Sequence, residues 1–486
     1  MNALPELINN LENYTGITCH SGEVKPGNIF VAIRGRSADG NLYIPEAVRK
    51  GAQAIVTDYP DGVPLSDIPV IVVANARQSL AELAARFYGH PSRNLAVIGV
   101  TGSNGKTTIT MMLEHIFYHY GYKTGLIGTV RVNTGNRSFA SKLTTPDAAN
   151  LQYYLAEMRK NGITHVPMEV SAQGVDMRRV DGVHFVCGVL TNICPDHLDF
   201  HGDFTNYIAA KQRFLKLLDS ATPLVVNTGV PYCQEIAQDY AGPVVSAAVN
   251  APADISAKVI NMTPYGSDFE FRIDQPVIIR NRLVFSPYHT NMRLAIPGQH
   301  NVENALLAAV AALLQDIPVN VVTEALATFK GVERRMNVHY FDDITLIDDT
   351  ALNPGSIQAV FNTVQTFQYR RLIVINAIRG RRGRAINAAN ASCLARLQKE
   401  LSFSLVVTAA NDHVSLSDLV TPEEEDAFLD ALVESQADHL YLASLKEAIS
   451  AVLAKVCSGD MIILLGAQGM DNGYNVFSSL LSQNVG

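Results

Sequence analysis

The chain has 486 residues, 48% of them hydrophobic, and a formal net charge of −8 at neutral pH, a balance that argues against the basic face on which nucleic-acid binding rests. No apolar run approaches the roughly 20 residues of a membrane span, and the polar start MNALPELINNLENYTG lacks the basic and apolar regions of an export signal. A cytoplasmic protein of about three domains, at roughly 150 residues each, is expected; its six cysteines stand without a CxxC pair, the pattern of reduced thiols rather than of a disulfide or zinc framework.

Residues 1–90 carry the apolar runs IFVAI (29–33), AIVTD (54–58) and VIVV (70–73), with helical patterns between and after them. They predict a small α/β unit. Its loop-rich segment HSGEVKPGNIFVAIRGRSADG (20–40) offers Ser21, Lys25, Arg34 and Arg36 to phosphates or a sugar; the alternative is a hairpin with solvated charges. A helix over 76–88 ends at Gly89-His90-Pro91, where the first domain boundary is placed.

The second region, 91–335, opens with an apolar run (95–100), the turn GVTGSNGKTT (99–108) and a helical pattern. Strand, phosphate loop and helix are the expected sequence of elements. Backbone N–H groups and the helix dipole favour an anion there, and Gly102 and Gly105 let the backbone approach it. Ser103, Asn104 and Thr108 complete the loop, Lys106 would reach the terminal phosphates of a nucleotide, and Thr107 would offer its hydroxyl to Mg²⁺. One departure from GxxxxGK[ST] is that Val100 stands at the first glycine position, with Gly99 one residue earlier. Further apolar strands at 124–130, 165–171, 185–193 and 224–227 predict a parallel sheet covered by helices on both faces. Residues 254–296 alternate and turn, predicting a small antiparallel addition, and 298–315 predict an amphipathic helix ending before Pro318.

In residues 336–486, strands at 344–349, 372–378, 405–410, 439–444 and 461–466 alternate with helices, a Rossmann-like pattern. The acidic run 423–426 reads as a solvated helix start.

Three constellations in the second region follow strand ends, where ligands collect in open α/β sheets. MEVSAQG (168–174) puts Glu169 at the end of an apolar strand, and a carboxylate there is costly to bury unless paired or metal-bound. TNICPDHLDFHG (191–202) gathers Asp196, His197, Asp199 and His201, although the aspartates have an alternative use as helix caps. Lys211, on the helix that follows, would by itself be solvated.

VKPGNIFVAIRGRSADG, GVTGSNGKTT, TTPD (144–147), MEVSAQG, TNICPDHLDFHG with YIAAK, GQHNVENALLAA and GVERRMN together resemble, in order and spacing, the Mur ligases, the ATP-dependent amide-forming enzymes of peptidoglycan precursor synthesis. Within that family the chain is most similar to the type that adds the third residue to UDP-MurNAc-L-Ala-D-Glu. The resemblance implies three α/β domains: an N-terminal domain for the UDP end of the substrate, a central ATPase with a phosphate loop on a parallel sheet, and a C-terminal Rossmann-like domain for the amine. It implies that Lys106 and Thr107 hold ATP phosphates and Mg²⁺, that Glu169 and His197 serve metal sites, and that Lys211 carries a carbamate for a second Mg²⁺. Asn304 and Arg335 would contact the nucleotide, and Ser21, Thr144, Thr145 and Ser171 the UDP-MurNAc-peptide. A substrate carboxylate would take the γ-phosphate, and an amino acid would displace phosphate from the acyl phosphate. A monomer is expected, with no nucleic-acid or membrane partner.

The C-terminal domain departs from the family. The arginine-bearing DNPR motif is replaced by TAANDHVS (408–415), and the usual DYAHTP by IDDTALNPGS (347–356), which leans towards the pattern of the ligase that adds the terminal dipeptide. GAQGMDNG (466–473) replaces GKGHE, and AIRGRRGRAIN (377–387) adds a basic cluster that would meet an anionic acceptor or the ATP phosphates, the alternative being a solvated loop; in the central region, Gln173 stands where a histidine is usual. The amine is left open by these changes, and so is recruitment to another carboxylate and amine pair; a non-catalytic nucleotide-binding homologue is the remaining alternative.

Overall fold

The computed structural model describes residues 3–35, 38–59, 68–196, 198–416 and 418–484. The first apolar runs form a four-stranded parallel sheet, Gly16–Thr18, Asn28–Ala32, Ala54–Thr57 and Val70–Val72, in sequential order. Helix Ala76–Phe87 covers one face, its N-terminus capped by Asn75, whose side chain accepts from Gln78 N. That core also takes in Ala148 and Ala149 from the central region.

The central sheet has eleven strands. The phosphate-loop strand Ala96–Thr101 lies between His165–Glu169 and Cys187–Leu190, all parallel, with Val100 opposite Glu169 and Thr101 opposite Leu190. The site's segments therefore leave the sheet at one edge, side by side. Leu224–Asn227 and Val244–Val249 continue the parallel order. The antiparallel segment expected over 254–296 adds directly to this sheet, because Ile255–Thr263 pairs parallel with Val244–Val249 before Gly266–Ile273 and Tyr288–Leu294 turn back. The run at 124–130 gives only a two-residue strand, Leu126–Ile127. Gly128 ends it where a Cβ would collide with the Glu169 carboxylate.

Helix Gln299–Leu313 was expected to be amphipathic, yet both faces are buried, against the phosphate-loop helix and the sheet. Its alanines at 305, 308, 309, 311 and 312 are small enough for that double contact.

The last sheet has six strands in the order Asn337–Phe341, Ile344–Asp349, Met461–Leu465, Leu372–Ala377, Ser404–Thr408, His439–Tyr441. Only the first pair is antiparallel, and apolar clusters cover both faces. The acidic run at 423–426 does begin a helix, Pro422–Glu434, with a capping box from Thr421 and Glu424. Glu424 is not solvated, however. It is buried, and its carboxylate accepts from the backbone N of Arg381, Arg382 and Gly383 at 2.9, 2.7 and 2.6 Å, tethering the arginine-rich loop.

Candidate active site

The loop after Thr101 turns through Gly102 and Gly105 at φ 143° and 87°, conformations open to glycine; a Cβ would collide with Thr191 at the first and Asn304 at the second. The segment 191–194 braces the loop from the neighbouring strand. Ser103 Oγ donates to Cys194 O and accepts from Cys194 N, both at 2.9 Å. Asn104 N donates to Asn192 Oδ1 at 2.9 Å, and Thr191 Oγ1 donates to Asn104 O at 2.6 Å. Helix Lys106–Tyr120 starts there. Lys106 Nζ curls back over the loop to Gly102 O and Ser103 O, each at 2.9 Å, and burial pushes its pKa down against the pull of Glu169 and Asp196.

Glu169 is 1% exposed. Its carboxylate accepts from Thr107 Oγ1 at 3.0 Å, Thr129 N at 2.7 Å and Thr129 Oγ1 at 3.1 Å, all uncharged donors. Thr144 Oγ1 lies 3.0 Å from Thr129 Oγ1 and lines the cleft. Thr145 turns the other way. Its buried hydroxyl donates to Glu169 O and accepts from Ser171 N, both at 3.0 Å, so it fixes the strand end rather than facing a substrate path. Ser171 caps helix Ala172–Asp176 by accepting from Gly174 N, and borders the cleft.

Lys211, which its sequence position alone would leave in solvent, is 1% exposed. Its Nζ donates to Gly102 O at 2.9 Å and Thr101 Oγ1 at 3.2 Å. Burial, reinforced by neighbouring Lys106, holds its pKa well below the ordinary lysine value. Of the charged cluster at 196–201, Asp196 borders the cleft, whereas His201 Nδ1 pairs with Asp176 Oδ2 at 2.9 Å behind it. His197, and Arg36 of the first region, lie outside the described residues.

The C-terminal sheet supplies contacts that sequence reasoning missed. Asn353 caps helix Pro354–Val364. Its Nδ2 donates to Asn104 Oδ1 and to Asp196 Oδ2, both at 3.1 Å, and Asn104 Nδ2 donates back to Asn353 Oδ1 at 3.3 Å. Arg379, from the basic cluster, is buried and pairs with Asp196 Oδ1 at 3.0 Å, while Asn387 holds its backbone. The Asn-Pro at 353–354 does announce a helix start; nothing local announces its partner Asn104.

The resulting cleft, about 610 Å³, is bordered by residues 103–108, Glu169, Lys211, Asn304 and Arg335. Asn304 sits against Gly105, and Arg335 donates to Thr350 Oγ1. A second cavity of about 880 Å³ lies between the first sheet and the central region and contains Ser21, whose Oγ donates to Glu46 Oε2 at 2.9 Å. Lys142, Leu143 and Arg179 border both spaces, so the two cavities adjoin.

The chain matches the family descriptions "Mur ligase family, catalytic domain" over residues 13–88, "Mur ligase middle domain" over 100–312, and "Mur ligase, glutamate ligase domain" over 334–468. It is 32% identical to a UDP-N-acetylmuramoyl-L-alanyl-D-glutamate--2,6-diaminopimelate ligase of Bacillus cereus, over 93% of this chain and 88% of that one. In fold it is similar to MurF from Acinetobacter baumannii, with a TM-score of 0.72, 20% identity and 99% and 98% of the two chains covered. It is also similar to the MurF ligase from Thermotoga maritima solved in complex with ADP, with a TM-score of 0.69, 19% identity and 98% and 99% covered.

Proposed function

The chain belongs to the Mur ligase family of ATP-dependent ligases, and from that premise we propose that it joins the carboxylate of a UDP-MurNAc-peptide, of the UDP-MurNAc-L-Ala-D-Glu class, to an amino acid. The observation that carries this reading is a pair of adjoining cavities. A braced phosphate loop with Lys106, Thr107, Glu169 and Lys211 borders one, and Ser21 the other.

In this reading the loop N–H groups and Lys106 hold the β- and γ-phosphates of ATP, with Asn304 and Arg335 on the nucleotide. Ser21, Thr144, Ser171 and Arg179 position the UDP-MurNAc-peptide so that its terminal carboxylate faces the γ-phosphate. The carboxylate oxygen bonds to phosphorus and ADP departs; the free amine then bonds to the acyl carbon and phosphate departs. Positioning and charge neutralisation dominate such transfers.

The donor set fits Mg²⁺, because a buried carboxylate whose partners are all uncharged is the anion that a hard cation needs. Thr107 and Glu169 would hold the ion, with His197 and the Lys211 carbamate serving a second one. When bound, Mg²⁺ neutralises the phosphate charge. The lowered pKa of Lys211 favours the amine form, which adds to CO₂ and loses a proton to give the carbamate. The enzyme is read as a cytoplasmic monomer; among the described residues no helix is long and apolar enough to cross a membrane.

A second reading is a ligase of this type recruited to a different carboxylate and amine pair. Its support lies in residues 408–415, where Asp412 accepts from Ser444 Oγ at 2.9 Å and Leu445 N at 3.1 Å and caps a helix, with no arginine offered to an acceptor's carboxylate.

The test is ADP formation in the presence of UDP-MurNAc-L-Ala-D-Glu, Mg²⁺ and a mixture of amino acids. Lys106→Ala is expected to lower kcat by about 10²–10³-fold, the usual effect of removing a donor aimed at developing charge. Near-normal turnover in a folded variant would overturn the mechanism.

A further inference from the structure

The second cavity contains a further cluster of ligand-bearing groups. Cys19 and His20 follow directly from the strand Gly16–Thr18, and Asp147 caps helix Ala148–Lys160 of the central region. A sulfur, an imidazole nitrogen and a carboxylate oxygen from these three residues lie within 4.8 Å of one another. His20 Nε2 is 3.5 Å from Asp147 Oδ2.

The carboxylate is already oriented. Asp147 Oδ1 accepts from Ala149 N and Asn150 N, both at 3.1 Å, and Oδ2 accepts from Asn150 Nδ2 at 2.7 Å. Fixed outer partners of this kind are what hold a metal-ligating side chain in place. Donor atoms around a tetrahedral zinc, with bonds of about 2.0–2.3 Å, lie roughly 3.5 Å apart. His20 is exposed and Cys19 half-buried, so small side-chain rotations draw the trio to that spacing. A thiolate and an imidazole beside one carboxylate select a borderline-soft cation over Mg²⁺ or Ca²⁺. All three residues border the second cavity, which leaves a fourth coordination position facing open space.

We propose that Cys19, His20 and Asp147 form a three-ligand site for Zn²⁺, and that the bound ion ties the N-terminal sheet to helix Ala148–Lys160. The two anchoring segments come from different sheets, so the ion adds a bridge between regions that also meet at Ala148 and Ala149, at the Tyr88–Tyr153 ring pair and at the Arg159–Gly89 hydrogen bond. Ser21 is the next residue in the chain. On the reading that this cavity receives the UDP-MurNAc-peptide, Zn²⁺ inhibits by competing with that substrate and not with ATP.

The test uses the full-length protein and the metal alone. Co²⁺ is titrated in as a spectroscopic substitute, and the thiolate-to-cobalt charge-transfer absorption is followed. Wild type is expected to take up one equivalent with that band, and Zn²⁺ to displace it. Cys19→Ser is expected to lose the band, and His20→Ala to weaken binding by at least about tenfold, as loss of even an outer partner does. Cys194→Ser, in the nucleotide cleft, and Cys457→Ser, an exposed thiol, should keep it. Zn²⁺ should raise the melting temperature of wild type and leave Cys19→Ser unchanged, as a ligand specific to the folded state requires. Absence of the band in wild type, or its survival in Cys19→Ser, overturns the site; a band without a melting shift overturns the bridge. Neither readout depends on ligase activity, so failure of the substrate reading and failure of the metal site are separable.

Discussion

At the scale of single residues, the site rests on charges removed from water. Lys211 is the strongest case, since burial and Lys106 both disfavour its charged form and, among the described residues, its Nζ donates to two neutral oxygens. The lowered pKa favours the amine form that carbamate formation requires. Lys211→Ala is therefore expected to lose ATP turnover and to regain part of it when a short carboxylic acid is supplied in the buffer. Equal activity with and without the acid, in a folded variant, contradicts the carbamate. Asp349 gives a prediction for stability. Burial pushes its carboxyl up to about 6, against the opposing pull of Arg335 and the hydrogen bond from Met336 N. Between the ordinary aspartate value and that value the folded state holds more protons than the unfolded one, so stability falls as pH rises through this window. The slope is at most about 1.4 kcal/mol per pH unit for one group. Asp349→Asn, which keeps an oxygen for Met336 N, should flatten it in denaturant titrations from pH 4 to 6.

At the scale of elements, what the sequence made legible was local. The phosphate loop shows in ten consecutive letters because strand, glycine turn and helix dipole are all neighbours in the chain. Glu169 was readable because a carboxylate ending an apolar strand needs a partner. Lys211 was not readable from its helix, since burial came from the loop at 101–102 folding over it. Helix Gln299–Leu313 departs from its amphipathic pattern for a related reason. Its alanine-rich pattern looks weakly one-sided, yet small residues permit contact on both faces. The capping helix Pro354–Val364 had a clear start signal, whereas the reciprocal amide pair between Asn353 and Asn104 joins elements from different sheets. That pair and the Arg379–Asp196 ion pair hold the C-terminal domain against the loop. Asn353→Ala is expected to lower kcat about tenfold, the scale of one lost hydrogen bond of about 1.4 kcal/mol, with little change in KM for ATP. Its Asn104 partner stays in the loop, so a matching rise in KM for ATP would instead assign Asn353 to nucleotide binding.

At the scale of the whole molecule, three sheets meet around two adjoining cavities. The first contributes Ser21, the central one the phosphate loop and its carboxylate, and the last the helix cap and arginine that close over them. The family's chemistry and the three-part architecture were legible from motifs spread along the chain. The amine was not, because the letters that depart from the family, Gln173 apart, fall in the C-terminal domain, where Glu424 ties down the arginine loop and Asp412 accepts from the first N–H of a helix. Mass spectrometry of the products formed from ATP, Mg²⁺, UDP-MurNAc-L-Ala-D-Glu and a mixture of amino acids decides the substrate. ADP, phosphate and a new nucleotide-linked species heavier than the substrate by one amino acid less water are expected, and that mass also identifies the amine. ADP formation stimulated by other carboxylates, with UDP-MurNAc-L-Ala-D-Glu left unchanged, would contradict the assigned substrate and place the same ligase chemistry on a different pair.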